Sequence, residues 1–146
     1  MNNLHIFLGA TVADAAARPL HWVYDPKKLK RYIKGQKEVA FLKKNKSPFY
    51  SIKTGNVSGY NDVGQVMFNT LLTTRKKSEI IKNFKKNIVN KFGPGSTYWK
   101  NLRLRKKYKK IKWKKPLKGP WIHQNILETI QNIKTKKSMT GGTKVN

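Results

Sequence analysis

Cysteine is absent from this 146-residue sequence, and acidic residues are scarce. Without cysteine the chain forms no disulfide, no zinc–thiolate centre and no cysteine nucleophile, and we expect a reducing, cytoplasmic location. Magnesium prefers several oxygen ligands, and a two-metal hydrolytic site needs still more. The sequence therefore predicts too few carboxylates for such a site, because its only acidic residues are Asp14, Asp25, Glu38, Asp62, Glu79 and Glu128.

Long apolar runs are also missing. No stretch approaches the roughly 20 apolar residues that span a bilayer. The apolar segment at residues 4–12 is interrupted by His5 and has no basic region before it, which a signal peptide would carry. We expect no contact with a membrane, and we expect this segment to be a helix of a folded domain.

Positive charge is what the sequence has in excess. Lys and Arg number 33 against six acidic residues, so the formal net charge is +27. The densest run is RLRKKYKKIKWKK at residues 103–115, in which Tyr108 and Trp113 alternate with cations. Aromatic rings can stack on bases while cations neutralise phosphates. The run favours a nucleic-acid-binding or anion-binding function, with Lys106, Lys107, Lys109 and Lys110 as the candidate residues.

A second interpretation of the charge is compositional. Lysines are also spread over residues 27–53, 76–91 and 100–137, whereas a dedicated binding patch would be more local. Lysine enrichment at exposed positions would give this pattern without any binding site. Nucleic-acid binding is therefore the alternative function and not the first.

The hydrophobic periodicity predicts an all-α fold. Apolar residues at helical spacing indicate helices at residues 3–18, 62–74, about 79–92 and about 122–134, and Asp25-Pro26 indicates another that ends near Lys34. Ser78 is the predicted N-cap of one helix, and an N-cap is the simplest role for Asp62. Residues 36–59 are predicted to be a long loop, and residues 140–146 a flexible tail.

The three histidines are far apart in sequence and form no ligand pattern. No H-x-x-x-H pair and no phosphate-binding glycine loop with a following lysine is present. His21 lies beside Trp22, which is more typical of a packing or hydrogen-bonding residue than of a metal ligand. The sequence by itself therefore indicates no metal centre.

A family resemblance is nevertheless carried by several short segments in order along the chain. Together they resemble the ADP-ribosylglycohydrolase superfamily and, more closely, its crystallin J1 branch. Each segment is weak alone, but the set covers nearly the whole chain. The segments are residues 13–25 (ADAAARPLHWVYD), 47–50 (SPFY), 54–55 (TG), 60–62 (YND), 92–96 (FGPGS) and 119–124 (GPWIHQ).

The resemblance implies a helical domain about twice this long, of which this chain would be the N-terminal half. It implies magnesium as cofactor, an ADP-ribose-type ligand, and hydrolysis of ADP-ribosyl bonds. By position, Asp62 matches one metal-binding aspartate, and Asp14 matches the aspartate of the opening motif. Tyr60, Asn61 and His21 would line the site, and His21 stands where catalytic members have glutamate.

Departures from the family pattern set our expectation about activity. Asn61 and Val63 flank Asp62, so the Thr-Asp-Asp turn of catalytic members is incomplete, and their C-terminal Asp-x-Asp-Thr turn has no match. We expect a partial domain over residues 1–146 without catalytic competence. A structural role, which the crystallin name suggests, is a further alternative. Half a domain would expose apolar helix faces, so we also expect either poor stability or association through those faces.

Overall fold

The computed structural model describes residues 3–110 and 116–136, and within them the fold is mostly helical. Two short strands, β1 (Tyr50–Ser51) and β2 (Leu117–Lys118), pair in parallel. The all-α prediction is thus confirmed, with this small addition. The helices are α1 (Asn3–Ala17), α2 (Pro26–Ile33), α3 (Gly59–Thr73), α4 (Ile80–Phe92), α5 (Thr97–Lys110) and α6 (Gln124–Lys134).

Two helices begin with side-chain caps. The Asp25 carboxylate accepts hydrogen bonds from the backbone N–H groups of Lys27 and Lys28, so the predicted start of α2 is confirmed. Helix α3 begins earlier than predicted, because the Ser58 hydroxyl accepts the N–H of Tyr60. The N-cap role of Asp62 is therefore wrong, since Asp62 lies inside the first turn of α3.

The start of α4 also differs from the prediction. Ser78 lies within a 3-10 turn over Lys77–Glu79, and α4 follows at Ile80 without a side-chain cap from Glu79. Ser78 is therefore not an N-cap. The end of α4 is as predicted, because the N–H of Gly93 bonds to the carbonyl of Val89 and the helix stops there.

The core lies between α3, α4, α5 and α6. Phe92 of α4 is fully buried and packs against Tyr98 of α5, with ring centroids 4.5 Å apart. Because these helices bury their apolar stripes against one another, the core holds the second half of the described chain together. The other buried members of this core are Val66, Ile88, Leu102, Ile122, Ile126 and Ile130.

Helix α1 contributes little to this core. Phe7 stacks on Phe68 of α3 at 4.4 Å, but much of the remaining apolar surface of α1 is exposed. Its exposed residues include Leu4, Ile6, Leu8 and Val12. Association through such a face remains a prediction. Among the described helices, none is long and apolar enough to cross a membrane.

The segment between α2 and α3 has little regular structure. Only β1 interrupts it, and it ends at Ser58, because Gly59 already belongs to α3. β1 brings the segment against β2, where the N–H of Leu117 bonds to the carbonyl of Phe49 at 3.1 Å. The predicted tail at residues 140–146 lies outside the described residues.

Candidate functional site

Asp14 is bound to the start of α3. Its two carboxylate oxygens accept hydrogen bonds from the backbone N–H and the hydroxyl of Ser58, each at 2.6 Å. Ser58 is buried, and Asp14 is half-buried at the end of α1. Because Ser58 is also the N-cap of α3, the Asp14 carboxylate fixes where α3 begins.

Arg18 lies one helical turn after Asp14 and is completely buried. Its guanidinium donates to the side-chain oxygen of Asn45 and to the carbonyls of Ile52, Lys53 and Asn56, at 3.0–3.1 Å. Burial lowers the pKa of Arg18, since the charged form loses water there. We call Arg18 with these four partners the Arg18 clamp, and it holds the long loop against α1.

Asp62 has a different set of partners. One carboxylate oxygen lies 2.8 Å from the ammonium of Lys91, and the other accepts a hydrogen bond from the hydroxyl of Tyr98. Burial and this hydrogen bond raise the pKa of the Tyr98 hydroxyl well above its usual range. The carboxylate therefore joins α3 to α4 and α5 through charge-assisted contacts.

A polar groove opens beside Asp62, with a volume of about 510 Å³. It is lined mainly by the end of α4, the start of α5 and the end of the long loop. Its polar lining residues are Asn56, Asp62, Asn90, Lys91, Ser96 and Thr97. The groove exposes amide and hydroxyl groups together with one lysine, and Asp62 supplies its carboxylate.

His123 is buried and His21 is half-buried, and both lie among aromatic rings. His21 Nδ1 lies 3.3 Å from the hydroxyl of Tyr50, and the ring of His123 stacks on Tyr60 at 3.7 Å. Burial lowers the pKa of His21, and it lowers that of His123 to about 4. Burial also raises the pKa of Tyr50 to about 12. These groups are accordingly neutral near pH 7.

Trp22 is the centre of this aromatic cluster. Its backbone adopts a φ of 66°, which is uncommon for a bulky residue and turns the indole inward. The indole makes edge contacts with Phe49 at 4.8 Å, Trp121 at 5.3 Å and His123 at 5.4 Å. On another side of Trp121, the guanidinium of Arg105 lies 4.2 Å from the ring centroid.

The donor set does not fit magnesium. Both oxygens of Asp62 already have partners, one of them a cation, and both oxygens of Asp14 bind Ser58. Across residues 3–110 and 116–136, no three His, Asp or Glu side chains gather closely enough to hold a metal ion. A magnesium ion needs near-octahedral oxygen coordination, which these residues do not offer.

The residues predicted for the site make contacts with different parts of the molecule. Asn61 donates to Thr11 on α1 and accepts from Gln65, whereas Tyr60 turns the other way onto His123. His21 is confirmed as a hydrogen-bonding residue, since it contacts Tyr50. Asp62 lines the polar groove, whereas Tyr60 lines a separate, mostly apolar pocket with Val63, Phe84 and Ile126.

Several residues of this region were missed by the sequence analysis. Lys91 and Tyr98 carried no pattern that could pair them with Asp62, because the contact is made only by helix packing. Ser58-Gly59 did carry a capping signal, which the nearby Asp62 obscured. Of the proposed anion-binding residues, Lys106, Lys107 and Lys109 are exposed on α5, and the side chain of Lys110 lies outside the described residues.

Comparison with known proteins gives two similar sequences. Crystallin J1B of Tripedalia cystophora is 27% identical over 134 residues, and crystallin J1A of the same organism is 26% identical over 134 residues. Each alignment covers 92% of this chain but only 38% of the relative. No protein-family model matches the chain, and no solved structure matches it.

The chain spans 38% of the length of the curated relatives it matches. The predicted resemblance is confirmed: over nearly its whole length this chain is similar to crystallin J1, an ADP-ribosylglycohydrolase-like protein.

Proposed function

We propose that this chain is a crystallin-J1-like helical protein that does not hydrolyse ADP-ribosyl bonds, and that its two site aspartates stabilise the fold. The observation that carries the proposal is the state of Asp62. Its carboxylate is paired with Lys91 at 2.8 Å and hydrogen-bonded to Tyr98, so an internal cation takes the place of a metal. Asp14 is likewise committed to Ser58.

The free energy of these contacts supports the proposal. To bind magnesium, Asp62 would have to release both Lys91 and the buried hydroxyl of Tyr98. Leaving a buried donor without a partner costs about 1–3 kcal/mol. Releasing Asp14 would also leave Ser58 without acceptors at the start of α3. The two freed carboxylates would not repay these costs, because magnesium needs several oxygen ligands.

The hydrolytic reaction that the resemblance implies would need more carboxylates than the described residues bring together. In that reaction magnesium would assist cleavage of an ADP-ribosyl bond. Here the polar groove beside Asp62 offers amide and hydroxyl groups and a lysine, but no second carboxylate. We infer that the chain retains its sequence similarity to crystallin J1 without the hydrolytic chemistry.

Isothermal titration calorimetry tests this proposal directly. We expect no saturable heat when magnesium chloride and ADP-ribose are titrated, separately and together, into the 146-residue chain. Saturable binding of the two together would overturn the proposal, as would release of ADP-ribose from an ADP-ribosylated substrate.

A Lys91→Gln variant sharpens the test by removing the internal cation. We expect its thermal stability to fall, because Asp62 loses its ion pair, while magnesium binding stays undetectable. Magnesium binding that appears in Lys91→Gln would show that the aspartates still form a metal site, and it would contradict the structural role. Circular dichroism confirms that the variant is folded.

A further inference from the structure

Helix α5 carries a row of cations beside an exposed aromatic ring. Arg105 lies over Trp121, and Trp121 contacts Phe49 at a centroid distance of 5.6 Å. Lys109 follows Arg105 by one helical turn and therefore lies on the same side of α5, with Lys106 next to it. We define the basic aromatic face as Phe49, Trp121, Arg105, Lys106 and Lys109.

The aromatic part of this face is fixed by neighbouring side chains and is accessible to a ligand from solvent. Phe49 is 45% exposed, while its inner edge is held by the indole of Trp22 at 4.8 Å. Trp121 is half-buried between Trp22 and the guanidinium of Arg105. The Arg105 guanidinium also donates to the carbonyl of Ile122, which fixes its position. A planar ligand can thus stack here without reordering the protein.

The cations of the face lack acidic partners within the described chain. The ion pairs there are Lys28–Asp25 and Lys91–Asp62, and neither involves a cation of α5. Lys106 and Lys109 are both exposed. With a net charge of +27, the surrounding surface adds to their attraction for anions.

We propose that the basic aromatic face binds single-stranded nucleic acid, with an unpaired base stacked on Phe49 and phosphates bound by Arg105, Lys106 and Lys109. Aromatic stacking beside a cationic track is the arrangement that binds single strands with little sequence preference. Duplexes fit less well, because their bases are already stacked. This function is independent of the aspartates discussed above.

An anionic membrane is a less suitable partner for this face. Binding to a membrane surface takes a helix whose apolar side is free to enter the bilayer. The apolar side of α5 is instead buried in the core through Tyr98 and Leu102. Charge would still attract α5 to anionic vesicles. Phe49 would make no stacking contribution there, because a membrane surface presents no base.

Fluorescence anisotropy with a labelled 12-nucleotide oligouridylate tests the proposal on the intact chain. We expect Lys106→Gln/Lys109→Gln to weaken binding about tenfold and to reduce the salt slope of log K by about 1.4, since each phosphate contact on a single strand contributes about 0.7. The matched control is Lys82→Gln/Lys86→Gln, which removes the same charge from α4. We expect the control to weaken binding less than threefold.

A second pair of variants separates stacking from charge. We expect Phe49→Leu to weaken oligouridylate binding about tenfold, because stacking on one base is lost, and Phe49→Tyr to restore it. Neither change should alter the affinity for inorganic polyphosphate, which has charge but no base. Circular dichroism and the melting temperature confirm that both variants are folded.

Three results would overturn the proposal. Equal losses in the α4 control and the α5 pair would assign binding to net charge alone. An unchanged affinity of Phe49→Leu for oligouridylate would exclude stacking. Binding to phosphatidylserine vesicles that is lost with Phe49→Leu, together with oligouridylate binding that is not, would assign the face to membranes.

Discussion

The Arg18 clamp and the basic aromatic face differ in the environment of their cations. Arg18 is fully buried, and its guanidinium donates to four acceptors of the loop. Lys106 and Lys109 are exposed, and neither takes part in an ion pair of the described chain. The same excess of cations therefore stabilises the fold in one place and leaves charge available to an outside partner in another.

The contrast teaches what to expect of substitutions. A buried cation with complete hydrogen bonding is costly to remove, because its acceptors are left without partners in a site that excludes water. An exposed cation has water as a substitute partner, so its loss changes binding more than stability. The following predictions use this difference, beginning with the largest expected effect.

Arg18→Met should cause the largest loss of stability. It leaves the side-chain oxygen of Asn45 and the carbonyls of Ile52, Lys53 and Asn56 without a donor, and we expect a cost on the order of 3–5 kcal/mol. Urea unfolding followed by circular dichroism measures it. Lys106→Met is the control on the exposed side, and a comparable loss there would break the comparison.

The next effect concerns pH and His123. Its pKa is about 4 in the folded protein against 6.5 for a free histidine, so the unfolded chain binds the proton more readily. The contribution of His123 to the free energy of unfolding is therefore fully present above pH 6.5. It is lost as the pH decreases from 6.5 to 4, by up to about 3 kcal/mol. The lowered pKa of His21 acts in the same direction.

Melting temperatures between pH 7.5 and 4 measure this dependence. In His123→Gln the group that takes up the proton is absent, so we expect the fall with pH to be smaller, with the remainder due to His21 and the carboxyl groups. An identical pH dependence in the variant would show that His123 is not the residue responsible.

The smallest expected effect on stability comes from removing the carboxylate of an ion pair, and it should differ between Asp62 and Asp25. Asp62→Asn removes the partner of Lys91 from a largely buried site, and we expect a loss of about 1–2 kcal/mol. Asp25→Asn is the matched control, because its lysine lies 4.0 Å away at the surface and asparagine also caps helices well. Chemical unfolding should show little change in Asp25→Asn, and equal losses in both variants would contradict the structural role of Asp62.

Much of the fold follows from local patterns in the sequence. The helical spacing of apolar residues and the Asp25-Pro26 and Gly93-Pro94-Gly95 signals predicted most helices and their ends. The start of α3 was predicted wrongly because two candidate N-caps, Ser58 and Asp62, lie close together in the sequence. Ser58 is the N-cap, and it is positioned by Asp14, which lies 44 residues earlier. The pattern also left the basic run without a helix, although α5 extends through residue 110.

The site was less predictable than the fold. Asp14, His21 and Asp62 were selected through the resemblance, and each proved to lie at a contact between elements. Their partners Ser58, Tyr50, Lys91 and Tyr98 are distant in sequence, and no local spacing indicates such pairs. The basic aromatic face was likewise predicted only in part, because the sequence showed the lysines of residues 103–115 but not the contacts of Trp121 with Phe49 and Arg105.

The pairing of β1 with β2 has a consequence for how the molecule folds. Tyr50 pairs with Leu117, and the chain between them contains α3, α4 and most of the core of the described residues. Closing so long a loop costs more conformational entropy than packing two helices that are adjacent in sequence. Contacts of this kind therefore form slowly. The packing of α3 on α4, which are close in sequence, can form earlier. Phe49 and Trp121 therefore meet late in folding, and the surface that they form exists only once the rest of the chain is in place.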